Sequence, residues 1–161
     1  MFRQVPARNS PSLPVSTRDR RGATLVEGAI VLSTLVVLVL GSLDLSLAVW
    51  QYNTLSQAAR QGAREAAVHG AQAAPMRTVW GPAKRVVIAN DGSDVAAAVL
   101  PSLGGIASDA VTITVEWPDG VNTFQSRVRC TVTTQYEPIV ASLFADSPWT
   151  LSATSNMSID H

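Results

Sequence analysis

From Gly28 to Leu43 the sequence runs for 16 residues without a charge, most of them Leu and Val. As a helix this run is roughly 24 Å long, short of the roughly 30 Å of a bilayer's hydrocarbon core. A full crossing must therefore be lengthened at one end. Lengthening toward Ala23 takes in Glu27, and lengthening toward Trp50 takes in Asp44. A carboxylate in lipid is costly and usually has a reason to be there. Trp50 and Tyr52 suit the aromatic belt of the far interface. Asp44 is expected near that interface, within reach of water.

Charge gives the direction of crossing. Arg3, Arg8, Arg18, Arg20 and Arg21 precede the run, and the first base after it is Arg60. Positive residues stay on the cytoplasmic side, so the N-terminus is expected inside and the rest of the chain outside. Residues 1–22 read as a basic cytoplasmic leader. Pro6, Pro11 and Pro14 and the lack of apolar periodicity make it a disordered one. The competing reading is a cleavable secretory signal. Its apolar core would be shorter and a small-residue cleavage site would follow Leu43, which the sequence does not show. The 161 residues leave room for one small domain beside this anchor. Residues 23–161 hold 7 basic and 11 acidic side chains, an acidic balance that argues against nucleic acid as a partner. Cys130 is the only cysteine, which excludes an internal disulfide or a cysteine-rich zinc site.

The helical pattern continues past the membrane segment (23–50) into residues 51–70. No proline interrupts Gln51–Gly70. Tyr52, Leu55, Ala59, Gly62, Ala66 and Gly70 fall on one narrow face of small residues, suited to close packing. Gln57, Arg60, Gln61 and Arg64 fall on the other. For Arg60 and Arg64, a solvated face and a dock for an acidic surface both stand. Gly70 and Pro75 are stop signals. Val86-Val87-Ile88 reads as a short strand, and Asp94 as the cap of a short helix over Val95–Leu100. Beyond these, residues 71–110 show no regular pattern.

The last fifty residues alternate. Val111, Ile113, Val115 and Trp117 share one face. Val128, Cys130, Val132 and Tyr136 do the same, and so do Leu151, Ala153, Met157 and Ile159. Strands are expected near 111–117, 127–136 and 150–160, in an extracytoplasmic domain over 71–161. One apolar face per strand favours an antiparallel sheet, which needs a cover. The fold class is α+β: a long N-terminal transmembrane helix continues into an amphipathic helix packed on a small antiparallel sheet of three to four strands.

Arg20-Arg21-Gly22-Ala23-Thr24-Leu25-Val26-Glu27 leads into the apolar run, and Gln57-Ala58-Ala59-Arg60-Gln61-Gly62-Ala63-Arg64-Glu65-Ala66-Ala67 follows it. The first segment resembles the prepilin-peptidase site of type IV pilins and pseudopilins. Together the two resemble the TadE-like family, minor pseudopilins of tight-adherence (Flp-type) type IVb pilus systems. The resemblance is close over residues 20–70 and one of pattern alone over 111–161. It implies a pilin-like protein of the bacterial inner membrane that assembles pili and catalyses nothing. Its implied partners are membrane lipid, the prepilin peptidase as whose substrate it serves, other pilins and pseudopilins, and the tight-adherence assembly platform. The implied cut falls between Gly22 and Ala23. Glu27 would then meet the α-amine of a neighbouring subunit, each charge offsetting part of the other's burial cost. Read from position alone, Glu27 could equally reach back to water at the cytoplasmic boundary. Two residues depart from the major-pilin pattern: Gly28 stands where an aromatic often follows the Glu, and Ala23 stands where many major pilins begin with Phe.

Other residues carry less. His69 and His161 have no companion at metal-ligand spacing, so no metal and no cofactor is expected. Cys130 faces the apolar side of its strand and reads as a buried structural thiol. No Ser–His–acid arrangement is legible, so no small-molecule substrate is expected. A membrane-anchored binding or sensor domain, unrelated to pili, is the alternative function.

Overall fold

The computed structural model describes residues 17–73, 76–140 and 148–159, with side chains from Gly22 onward. Residues 1–16 of the leader, the Pro75 stop signal and His161 lie outside the described residues. The chain divides into two units, one up to Val39 and one from Leu40.

Helix α1 runs from Thr17 to Val68. In the first unit its side chains from Gly22 to Val39 are all exposed. Hydroxyls inside this apolar stretch do not go unsatisfied: Ser33 and Thr34 both donate to the carbonyl of Ile30 at 2.9 Å. Ser46 does the same to Ser42 at 2.8 Å. Returning a hydroxyl to the preceding turn is what lets Ser and Thr sit in a helix that water does not reach.

The second unit is built on a four-stranded antiparallel sheet in the order β1-β2-β3-β4. The strands are β1 (Arg85–Ile88), β2 (Val111–Glu116), β3 (Arg127–Tyr136) and β4 (Trp149–Ser158). The alternation seen in the sequence becomes an inner and an outer face. Val111, Ile113, Val115, Val128, Cys130 and Val132 are fully buried. The register sets Val115 against Cys130 and Ile113 against Val132, and Val132 is followed across the sheet by Ala153. On the outer face, polar side chains pair across strands: Thr131 with Thr154 at 3.0 Å, and Arg129 with both Asn156 at 3.0 Å and Glu116 at 3.1 Å. Such pairs hold register on a wet face. The architecture is therefore α+β, an apolar helix of membrane-crossing length joined to an antiparallel sheet.

The cover is the later part of α1. Leu55, Ala58, Ala59, Ala63 and Ala66 are fully buried in one core cluster with the inner faces of β2 and β3. The buried side of this stretch is wider than a single stripe, while Tyr52, grouped with it by periodicity, is exposed. Small residues bring the helix close. A Cβ on Gly62 would lie 2.6 Å from Cys130 Sγ and 3.0 Å from Val99 Cγ2. The helix ends where Gly70 meets another wall: its Cβ would lie 3.0 Å from Ile159 and 3.1 Å from the Asn122 carbonyl. Ala71 N–H then donates to that carbonyl at 2.8 Å.

The irregular stretch resolves into packing. β1 joins the sheet edge beside β2, and Trp80 and Leu103 enter the core. Helix α2 spans Asp94–Val99 and buries Val95, Ala96 and Val99. Its cap is Ser93, not the expected Asp94. The Asp91 carboxylate accepts from Ser93 N–H at 2.8 Å, which turns the chain so that Ser93 Oγ accepts from Ala96 N–H at 3.2 Å. Asp94 becomes the first helical residue, where its charge faces the positive end of the helix.

Asp119, in the turn after β2, holds the start of β3. It accepts from Arg127 backbone N–H at 2.8 Å and from Arg127 Nη2 at 2.7 Å. These bonds keep its carboxyl below the ordinary value of 3.8. Stability from the pair is thus complete above the ordinary carboxylate value and lost as pH falls through the lower folded value.

Gly62→Ala should destabilise the full chain in detergent by about 1–3 kcal/mol, the usual effect of overpacking. Adding Cys130→Ala should recover part of that loss in a double-mutant cycle read by denaturant unfolding. Asp119→Asn should lower the melting temperature at neutral pH, and its difference from wild type should vanish as pH drops well below 3.8.

Candidate functional site

The residues singled out by sequence separate into two groups. Gly22, Ala23 and Glu27 lie in the first unit, on exposed helix surface along a shallow recess shared with Val26 and Ile30. The Gly22–Ala23 bond is inside α1, so a peptidase acting there would have to open the helix locally. Among the described residues a Cβ on Gly22 would meet nothing within 4 Å, in contrast to Gly62 and Gly70. Leu55, Ala59, Gly62, Ala66 and Gly70 lie in the second unit, all buried. Arg60 and Arg64 point to solvent on the opposite side.

Asp44 is the residue whose setting sequence did not anticipate. It is 7 % exposed, buried by protein and not open to water. One carboxylate oxygen accepts from Ile139 N–H at 3.0 Å and the other from Val140 N–H at 2.7 Å. Its backbone carbonyl also accepts from Tyr136 Oη at 2.8 Å. Three bonds therefore tie one turn of α1 to the end of β3 and the loop after it. Two of the donors are backbone amides, which no side-chain pattern announces. The legible signal was a lone carboxylate closing an apolar run.

A second polar group surrounds the end of α1. The His69 ring stacks on Trp80 with centroids 4.2 Å apart. Its Nδ1 donates to the Glu65 carbonyl at 2.8 Å, and Trp80 N–H donates to the His69 carbonyl at 2.8 Å. Glu65 and Arg77 approach to 3.7 Å. The imidazole is held by a stack and a carbonyl, an arrangement that locks the chain at the helix end. Among the described residues no three His, Cys, Asp or Glu side chains cluster as a metal would require. Burial pushes the Cys130 thiol up to about 12, so it stays protonated and a poor nucleophile.

The helix carrying both groups is also where comparison with known proteins finds a match. Residues 22–64 match the family model described as TadE-like protein. The matched stretch begins at Gly22, takes in Glu27, Asp44 and Leu55, and ends at Arg64 within the small-residue segment. It stops short of the sheet. The family is a pilus-associated structural one. Among curated proteins and among solved structures, nothing matches the chain. The apolar part of α1 has the length and hydropathy of a membrane span, and its side chains are not buried within the protein. This fits a single-pass anchor.

Asp44→Ala should leave the Ile139 and Val140 amides without acceptors. The expected cost is about 1–3 kcal/mol for each bond lost. Hydrogen exchange on the full chain in detergent should show faster exchange at these two amides, with protection in β2 unchanged. Tyr136→Phe should have a smaller effect, about 1 kcal/mol.

Proposed function

We propose that this chain is a minor pseudopilin that supports assembly of a tight-adherence type IVb pilus, as a structural component and not a catalyst. The observation that carries this reading is the family match over 22–64, which spans the Gly22–Glu27 motif, the apolar helix and most of the small-residue segment. The exposed apolar surface of α1 supports it, because Leu25, Ile30, Leu35 and Leu38 are all more than half exposed. Surface of that kind is stable only against lipid or other apolar helices.

In this reading α1 crosses the inner membrane with the arginine cluster on the cytoplasmic side and the sheet outside. A prepilin peptidase cuts between Gly22 and Ala23 after local opening of the helix. The cut frees an α-amine one helical turn from Glu27. In the assembled state that carboxylate pairs with the amine of a neighbouring subunit, and a subunit out of register leaves both charges unpaired in lipid. The tight-adherence platform and other pilins are the partners.

Intact-mass measurement on the protein from native membranes tests this. A mature chain starting at Ala23 is expected, along with loss of pili in a Glu27→Ala strain whose processing is unimpaired. A stable full-length chain in cells with normal pili would overturn the processing step. Normal piliation after deletion of the gene would overturn the assembly role.

A further inference from the structure

The uncharged run falls roughly 6 Å short of a hydrocarbon core, or about four helical residues. The structure treats its two ends differently. Glu27 is exposed, so extending the span that way takes an open carboxylate into lipid. Asp44 is buried, and both its oxygens are occupied by Ile139 and Val140 amides. Beyond it, Leu45, Leu47, Val49 and Trp50 are all about half exposed. Within a single chain, before any pairing of Glu27 with a neighbour, the end prepared for lipid is therefore the Asp44 end.

The loop tied to Asp44 goes with it. Ile139 is 57 % exposed and Trp149 54 % exposed. Trp149 pairs with Tyr136 at the open end of β3 and β4, and with Val140 and Pro138 it lines an apolar recess against Gly41 and Leu45 of α1. These side chains continue the apolar surface of the helix onto the domain. Backbone amides can lie at that depth only where protein groups satisfy them, and the Asp44 carboxylate does so for Ile139 and Val140. A tryptophan at this level suits the headgroup boundary. The exposed Glu137 precedes the patch and keeps it from the hydrocarbon centre.

We propose that the base of the β3–β4 connection, Ile139 and Trp149, is immersed with Leu45 in the membrane interface. The chain would then hold the bilayer at two places, the helix and the domain. Continuity with the spanning helix favours lipid as the occupant over a second protein. The inference rests on the single-pass anchor reading, and the test separates the two.

The full chain is reconstituted at high dilution in vesicles of phosphatidylethanolamine and phosphatidylglycerol, on a Cys130→Ala background. Spin labels are placed singly through Val36→Cys, Ile139→Cys and Ser152→Cys. The ratio of oxygen to nickel-chelate accessibility should be severalfold higher at 36 and 139 than at 152. A label at 139 that behaves like the one at 152, with 36 still in lipid, overturns the inference and leaves the anchor standing. Water access at 36 overturns both. Dipolar broadening at 139 that disappears on mixing with unlabelled chain would mean a second copy covers the patch, and also overturns it. The native Trp149 gives a second reading. The fluorescence removed by Trp149→Phe should be quenched by brominated lipid in the wild-type chain, and an unquenched difference overturns the inference.

Discussion

The domain from Leu40 onward depends on how closely α1 can lie against the sheet. At Gly62 the separation is set by the absence of a side chain, since a single carbon there would strike the Cys130 sulfur. Alanines on either side keep the same spacing, with Ala58, Ala59, Ala63 and Ala66 all fully buried. A core made this way has little depth, so its stabilisation comes from contact along many residues. That is why the remaining pieces are anchored by polar bonds at the margins: Asn122 at the helix end, Asp119 at the start of β3, and Asp44 at the end of it.

Much of this arrangement was legible in the sequence. The apolar run and the absence of proline announced the helix. Alternation announced β2, β3 and β4, because each strand has one buried and one wet face and a period of two cannot be read as a helix. The Val86–Ile88 strand was visible from β-branched residues alone. What was hidden shares one physical cause: it depends on backbone groups or on contacts distant in sequence. The cap at Ser93 needs the Asp91 turn that presents it. The role of Trp80 needs the His69 ring, and Tyr52 leaves the buried face although its period fits. Asp44 is the sharpest case. Its partners are amides nearly a hundred residues away, and an amide looks the same at every position in a sequence.

The candidate site was legible unevenly for a related reason. Gly22 and Glu27 stood out because short-range spacing carries their meaning, and the family match begins at that same glycine. Among the described residues nothing lies within 4 Å of where a Gly22 Cβ would sit, so internal packing does not account for this glycine. The packing face behaves in the opposite way. Gly62 and Gly70 are explained entirely by neighbours within the chain.

The pairing of Gly62 with Cys130 also has a chemical side. A lone thiol on a protein that meets oxidants can form mixed disulfides or climb to sulfenic and sulfinic acids, and two such chains can crosslink. Here the sulfur is sealed between a glycine of the helix and the strand that carries it, and burial keeps it protonated. An oxidant reaches it only when the helix lifts from the sheet. The close packing that sets the geometry of the domain thus also serves as its protection against covalent damage.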